Sequence, residues 1–252
     1  MRIPRVHLPV ALRSGAEHDL PSGAVDHLVR VLRLPVGRDV RVFDGQGEEF
    51  SATLVEAGKR GARVLLRDAL RAVPSSPLRV TLAQALARGE KMDWILQKAT
   101  ELGVASIQPI QTERTEVRLD EERSERRMAH WRGVVTGACE QCGRADVPSL
   151  EAPLPLSDWL ARILSMPVSA DELRMVLDPE ADLDFGLASC EPRSLIAAVG
   201  PEGGFSAREL AMFLHARFES HRLGPRVLRT ETAGIAMLAI AQSRWGDLGR
   251  GS

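Results

Sequence analysis

The sequence predicts an α/β protein built in two parts: a small β-barrel over residues 1–72, and a larger α/β layer with a mainly parallel sheet over residues 75–252. Three observations carry that division. The front part holds several short runs with the period-2 alternation of half-buried strands, and a single helix. Residues 71–78, RAVPSSPL, place two prolines and two serines in eight positions, the composition of a linker. Beyond them apolar strands alternate with helices, the pattern of a parallel sheet covered by helices.

In the front part, Arg2–Leu8 reads as a short extended stretch and Val40–Gly45 as a half-buried strand. The punctuation Asp44-Gly45-Gln46-Gly47 predicts a hairpin turn into Glu49–Glu56, and Ala62–Arg67 follows the turn at Ala57–Gly61. A helix is expected over Ser22–Leu34, opened by Pro21-Ser22 and stopped by Pro35. In the second part, strands are expected at Leu78–Ala85, Ala105–Ile110, Arg174–Leu177 and Leu195–Val199. The first helix there, Lys91–Leu102, repeats Met92, Ile95, Leu96, Ala99 and Leu102 at the spacing of a core stripe. Others are expected at His130–Gln141, behind the charged stretch Arg114–Arg127, and at Ala207–Ala216 and Thr232–Trp245.

With 252 residues, 44% apolar and 27% charged, the chain can bury a core without disulfide or metal staples. No apolar run approaches the roughly 18–20 residues that span a bilayer, so no membrane partner is expected. The opening MRIPRVHLPVALRSG lacks the apolar segment of a secretory signal. Three cysteines, Cys139, Cys142 and Cys190, fit a reducing cytoplasm better than a disulfide framework. Cys139 and Cys142 lie three apart in a helical stretch with no second ligand pair, and the histidines show no metal spacing; no metal is expected. The net charge of −1 conceals an asymmetry, since residues 1–72 carry twelve Lys and Arg against nine Asp and Glu. That surplus points the front part toward a polyanion, although solvated surface charge gives the same count.

The densest local signal is SLIAAVGPEGGFSAREL, Ser194–Leu210. An apolar strand runs into Gly200-Pro201-Glu202-Gly203-Gly204, and Ser206 with Glu209 forms the capping box that starts the next helix. Such glycines permit positive φ and let a ligand approach the backbone, and ligands bind beyond the carboxyl ends of strands in open α/β sheets. The absence of GK[ST] and of G-x-G-x-x-G excludes two phosphate cradles, while a purely structural turn stays open. The second signal, His221–Ala241, sets Arg226, Arg229 and Glu231 at the start of a strongly apolar helix. Thr230 or Thr232 is expected to cap that helix, whose N-terminal dipole favours an anionic group. Taken alone, the same residues suit a surface ion network.

Together these segments resemble the signatures of the ribosomal RNA small subunit methyltransferase E family, in the SPOUT class of knotted methyltransferases. The family's GPEGG loop stands here as Gly200–Gly204, and its LG-x-R-[IV]-LR-x-ETA segment as Leu223–Ala233. Lys91, Gln97–Val104, Thr112-Glu113-Arg114, the helix around Trp131 with Glu140-Gln141 and Arg144, and His27–Leu34 fit as well. The resemblance therefore covers nearly the whole chain. Thr115 departs from it, standing where the family has serine, and Asp178-Pro179-Glu180 replaces a more variable loop.

The resemblance implies a PUA-like RNA-binding barrel over 1–72 and a SPOUT domain over 75–252 with a deep trefoil knot. It implies S-adenosylmethionine bound by Leu177, Gly200, Pro201, Glu202, Gly203, Gly204, Leu223, Gly224, Val227 and Leu228. The implied reaction is methylation of a uridine N3 in 16S ribosomal RNA, free or in the small subunit. Arg229 would stabilise charge on the base, and Glu202 or Glu231 would take the N3 proton. Arg30, Arg33, Lys91, Lys98 and Arg114 would contact RNA. A homodimer through the C-terminal domain is also implied, with Ile235, Met237, Leu238 and Ile240 of the last helix as contributors. A related enzyme acting on another base or on transfer RNA, and a non-catalytic assembly factor, are the alternative readings.

Overall fold

In the computed structural model, which describes residues 3–58, 61–115, 121–185 and 191–249, the front part is a five-stranded sheet. Its strands are β1 (Arg5–His7), β2 (Glu17–Asp19), β3 (Asp39–Phe43), β4 (Glu49–Gly58) and β5 (Gly61–Leu70), in the order β1-β3-β4-β5-β2. β1 runs parallel to β3 and the other pairs are antiparallel. Alternate residues Val40, Val42, Ala52, Leu54, Val64 and Leu66 face one core, joined by Val6 and Leu28. The β3–β4 turn is closed by Asp44, whose Oδ1 accepts from the N–H groups of Gln46 (2.7 Å) and Glu48 (3.0 Å). Gly45 sits there at φ +84°, and a Cβ would lie 2.7 Å from His7 Nε2, so only glycine fits.

The helix expected over Ser22–Leu34 is not a single α-helix. One turn, α1 (Ser22–Val25), widens into a π-helical turn over Asp26–Val31. Leu32 N–H then reaches His27 O, Arg33 adopts φ +52°, and Leu34 N–H closes the end on Leu28 O. The wider turn carries Leu28 fully inside and brings Leu34 in after it, while Arg30 and Arg33 stay exposed.

By its contacts the chain divides into Met1–Ser75 with Thr136–Val147, and Ser76–Val135 with Pro148–Ser252. Segment 136–147 joins the first unit through a buried cation. Arg5 pairs with Glu49 at 2.9 Å, lies 4.5 Å from the centroid of the Phe43 ring, and donates to the carbonyls of Cys139 and Arg144. His7 N–H donates to Glu140 Oε1 at 3.1 Å. Burial pushes the Glu140 carboxyl above its ordinary value and the Cys139 thiol up to about 12. Cys139 and Cys142 are free thiols, and Cys190 lies outside the described residues.

The second unit contains β6 (Arg79–Ala85), α2 (Lys91–Glu101), β7 (Ser106–Gln111) and most of α3 (Glu121–Cys142). After α3 come β8 (Ser149–Leu150), β9 (Leu154–Pro155), α4 (Leu156–Ser165), β10 (Glu172–Leu177), β11 (Leu183–Asp184), β12 (Ser194–Val199), α5 (Ala207–His215), β13 (Glu219–Arg222) and α6 (Thr230–Trp245). The eight strands form a parallel sheet, ordered β11-β13-β10-β12-β6-β7-β8, with β9 also on β7. Ala83, Ala85, Val176, Ile196 and Ala198 meet α4 and α5 on one face, around Trp159, Phe213 and Phe218. α6 lies on β6 and β12 and packs against α2. The charged run expected to lead into a helix at His130 is itself helical from Glu121, as strong helix formers allow. Among the described residues no helix is long and apolar enough to cross a membrane.

Candidate active site

β12 is buried almost throughout and delivers the chain into Gly200–Gly204. Gly204 N–H donates to Pro201 O at 2.9 Å, closing a tight turn, and Gly204 takes φ +67°. Phe205 then folds back over Gly200, where a Cβ would meet its ring at 3.3 Å, and packs on Phe213 at 4.8 Å between centroids. The capping box forms as expected: Ser206 accepts from Glu209 N–H, and Glu209 Oε2 accepts from Ser206 N–H at 2.8 Å. The other oxygen of the buried Glu209 accepts from Glu113 N–H at 2.8 Å, which latches the loop after β7 onto the start of α5. Arg114 adds a second tie, donating to Gly203 O at 2.7 Å.

Against this loop stands Lys91, at the start of α2. Its Nζ lies 2.8 Å from Glu202 Oε1 and 3.7 Å from Glu231 Oε2. The hydrogen bond to Glu202 raises the Lys91 pKa. Partial burial alone would raise Glu202, but Lys91 and backbone N–H groups outweigh it and hold that carboxyl below its ordinary value. Glu231 differs: its Oε2 is buried and has no hydrogen-bond partner. Arg88, Lys91, Glu113, Arg114, Thr115, Glu202 and Gly203 enclose a polar cleft of about 510 Å³.

A second cleft, of about 610 Å³, is lined by Asp184, Phe185, Arg222, Leu223, Gly224, Pro225, Leu228, Ala236 and Ile240. Arg222 and Asp184 pair across it at 2.8 Å, and the rest of the lining is apolar or backbone. Thr230 does not cap α6. Thr230 and Thr232 both lie inside the helix, Arg229 occupies the N-cap position with no side-chain cap bond, and the Thr230 hydroxyl donates to Gly200 O at 2.6 Å.

With this arrangement in view, residues 74–242 match the family described as RNA methyltransferase domain, and residues 20–66 match RNA methyltransferase PUA domain. The chain belongs to the ribosomal RNA small subunit methyltransferase E family. A member from Mycobacterium bovis is 33% identical, over 87% of this chain and 84% of its own length. One from Buchnera aphidicola of Schizaphis graminum is 28% identical over 98% of both chains. The crystal structure of a ribosomal RNA small subunit methyltransferase E from Neisseria gonorrhoeae bound to S-adenosyl methionine is 34% identical, with TM-score 0.88 over 98% of this chain and 99% of that one. A methyltransferase from Legionella pneumophila, in complex with the cofactor SAM, is 35% identical with TM-score 0.92, over 98% of this chain and 100% of that one. The fold is thus a PUA domain followed by a SPOUT-type α/β domain.

The residues that family resemblance singles out are distributed unevenly. Glu202, Gly203, Lys91 and Arg114 line the polar cleft, and Leu223, Gly224 and Leu228 line the apolar one. Leu177 is buried at the end of β10, registered with His221 of β13. Val227 is 81% exposed and Arg229 is exposed; neither lines either of these two clefts. Lys98 is bonded to Glu101 at 2.8 Å and rests on the Trp94 ring. Arg30 pairs with Asp26 at 2.8 Å on the surface of the first unit. Gln84 and Arg88 belong to the site's framework but carry no motif of their own, and Thr230, expected only as a helix cap, joins them. A lone glutamine in the apolar run of β6 was the available signal for Gln84.

Proposed function

We propose that this chain is an S-adenosylmethionine-dependent methyltransferase that methylates N3 of a uridine in small-subunit (16S) ribosomal RNA. The observation that carries the reading is the convergence of Lys91, Glu202 and Glu231 on the glycine loop. An apolar cleft lies in the same unit. The residues suit the cofactor. The cleft of about 610 Å³ falls within the roughly 300–1,000 Å³ of small-molecule sites, and Gly224, which lines it, and Gly204 each have open space where a side chain would stand. Leu177, Gly200–Gly204, Leu223, Gly224, Val227 and Leu228 would hold it. When bound, it supplies an electrophilic methyl group on a sulfonium centre.

Methyl transfer to N3 requires that the N3 proton leave and that negative charge on the base's carbonyl oxygens be stabilised. Glu231 is the better acceptor: its Oε2 has no hydrogen bond to give up, whereas Glu202 is held ionised by Lys91. Lys91 holds the two carboxylates at the edge of the cleft. Arg229, whose carbonyl is engaged by the first turn of α6 while the residue stays exposed, supplies the positive charge for the base. N3 lies on the pairing edge, so the target must be unpaired or flipped. Arg30 and Arg33 on the PUA domain, and Arg114 at the cleft, grip the RNA backbone.

We also infer the trefoil knot and a homodimer. The knot is supported by the path of the chain, which leaves β13 near one edge of the sheet, recrosses to place α6 on β6 and β12, and is tied to Gly200 on the way. Met237 and Leu238 are fully buried within their own subunit, leaving Ile240 and the half-buried Ile235 for a dimer contact. The deciding experiment is mass spectrometry of 16S ribosomal RNA from a strain lacking this gene, with and without complementation. Loss and restoration of one N3-methyluridine is expected, and an unchanged modification pattern would refute the assignment. Calorimetry showing no S-adenosylmethionine binding would favour an assembly factor instead.

A further inference from the structure

We propose that Gln84 and Thr230 are positioning residues, joined in a directional hydrogen-bond relay that holds the glycine loop and the first turn of α6 in the geometry needed for cofactor binding. The inference rests on the cofactor reading above. Gln84, in β6, is fully buried, and its Nε2 donates to Ala85 O at 3.1 Å and to Thr230 Oγ1 at 2.9 Å. A backbone carbonyl can only accept, so the amide is oriented by Ala85, and Thr230 Oγ1 must receive the second proton. The Thr230 hydroxyl has one proton of its own, and it goes to Gly200 O at 2.6 Å. Three segments far apart in sequence are thereby fixed together: the end of β6, the entry to the glycine loop, and the turn that carries Arg229 and Glu231.

Two costs at this point argue that the relay is more than core filling. Gln84 Oε1 is buried without a hydrogen-bond partner, which an aliphatic side chain would avoid. It also sits against Gly234 of α6, where a Cβ would approach it to 3.3 Å, so the helix carries a glycine in its interior at the place where the amide needs room. Both features destabilise the fold locally, and the relay accounts for both.

The test uses the full chain, S-adenosylmethionine calorimetry, single-turnover methylation and RNA affinity. Thr230→Val removes the hydroxyl at nearly constant shape, and Thr230→Ser keeps it. Gln84→Glu keeps the shape but presents an acceptor, drawing the Thr230 proton away from Gly200. Thr230→Val and Gln84→Glu are each expected to weaken cofactor binding about tenfold, the loss of one hydrogen bond, with RNA affinity unmoved. Thr230→Ser should stay within about twofold, and the double variant Gln84→Glu/Thr230→Val should be no weaker than Thr230→Val, because a relay broken once is broken. Should Thr230→Val fail to fold, Gln84→Glu against Thr230→Ser carries the comparison. Wild-type cofactor affinity in Gln84→Glu or Thr230→Val, an additive double variant, or an equal loss in Thr230→Ser would overturn the proposal. A wild-type chain that gives no heat with S-adenosylmethionine would instead sink the underlying reading.

Discussion

Replacing Gly203 by valine tests the glycine loop without disturbing its turn. A Cβ at Gly203 would lie 3.3 Å from Arg114 Cδ and 3.4 Å from Arg114 Cβ, and the two methyls of valine project further. Arg114 must swing aside and give up its 2.7 Å bond to Gly203 O, a loss of about 1 kcal/mol for an exposed contact. No backbone strain is added, since Gly203 does not have a positive φ. Gly204 is the converse case: its φ is +67°, and a Cβ there would touch nothing within 4 Å. Gly204→Ala therefore acts through conformation alone, costing about 1–2 kcal/mol and lowering the melting midpoint by roughly 2–8 °C. Under the proposed function, Gly203→Val should weaken S-adenosylmethionine binding at least about tenfold while lowering the melting midpoint by only roughly 2–4 °C, because the added bulk stands where the backbone must approach the ligand. Calorimetric titration and thermal melts of the two variants separate these effects. If Gly203→Val binds the cofactor as wild type does, the loop is only a turn and the cradle lies elsewhere.

Three further outcomes are expected. Trp159→Ala, which removes a buried ring 5.8 Å from Phe218 and 6.3 Å from Phe213, should cost about 3–5 kcal/mol in a denaturant melt; a loss under about 1 kcal/mol would contradict the packing. Glu140 has its pKa raised by burial, so its contribution to stability is greatest below the ordinary carboxylate value and is lost as pH rises through the raised one. Glu140→Gln, which can keep the acceptor for His7 N–H, should therefore melt higher than wild type at pH 7, with the difference closing in acid; a lower midpoint at pH 7 is the contrary result. Arg229→Ala should slow single-turnover methylation while sparing RNA affinity, whereas Arg30→Ala with Arg33→Gly should weaken RNA binding and lower its salt slope by roughly one per lost phosphate contact. Glycine is chosen at 33 because that residue has φ +52°. Parallel losses in both variants would make Arg229 another phosphate clamp.

The parts of this protein legible in the sequence are those set by neighbours along the chain. The capping box of Ser206 and Glu209, the Asp44 turn, and the stripe of Met92, Ile95, Leu96 and Ala99 depend on spacings of a few residues, and each forms where spacing places it. α4 shows the limit of that reading: Leu156, Trp159, Leu160 and Ile163 have helical spacing, yet the prolines at 153 and 155 obscured its start. The π-helical turn was likewise hidden, since it is selected by where Leu28 and Leu34 must pack rather than by local propensity. Which charges meet is a different matter. Lys91 was legible as a cation that matches the family and would contact RNA, but not as the partner of Glu202, whose bond to it spans 111 residues. The meeting of Lys91, Glu202 and Glu231, and the tie of Gln84 to Thr230 across 146 residues, follow from a strand order that sets β12 beside β6 and returns α6 over both. Local patterning is short-ranged because it reflects backbone geometry, while the site is assembled by long-range strand pairing, and so its contacts were settled only in three dimensions.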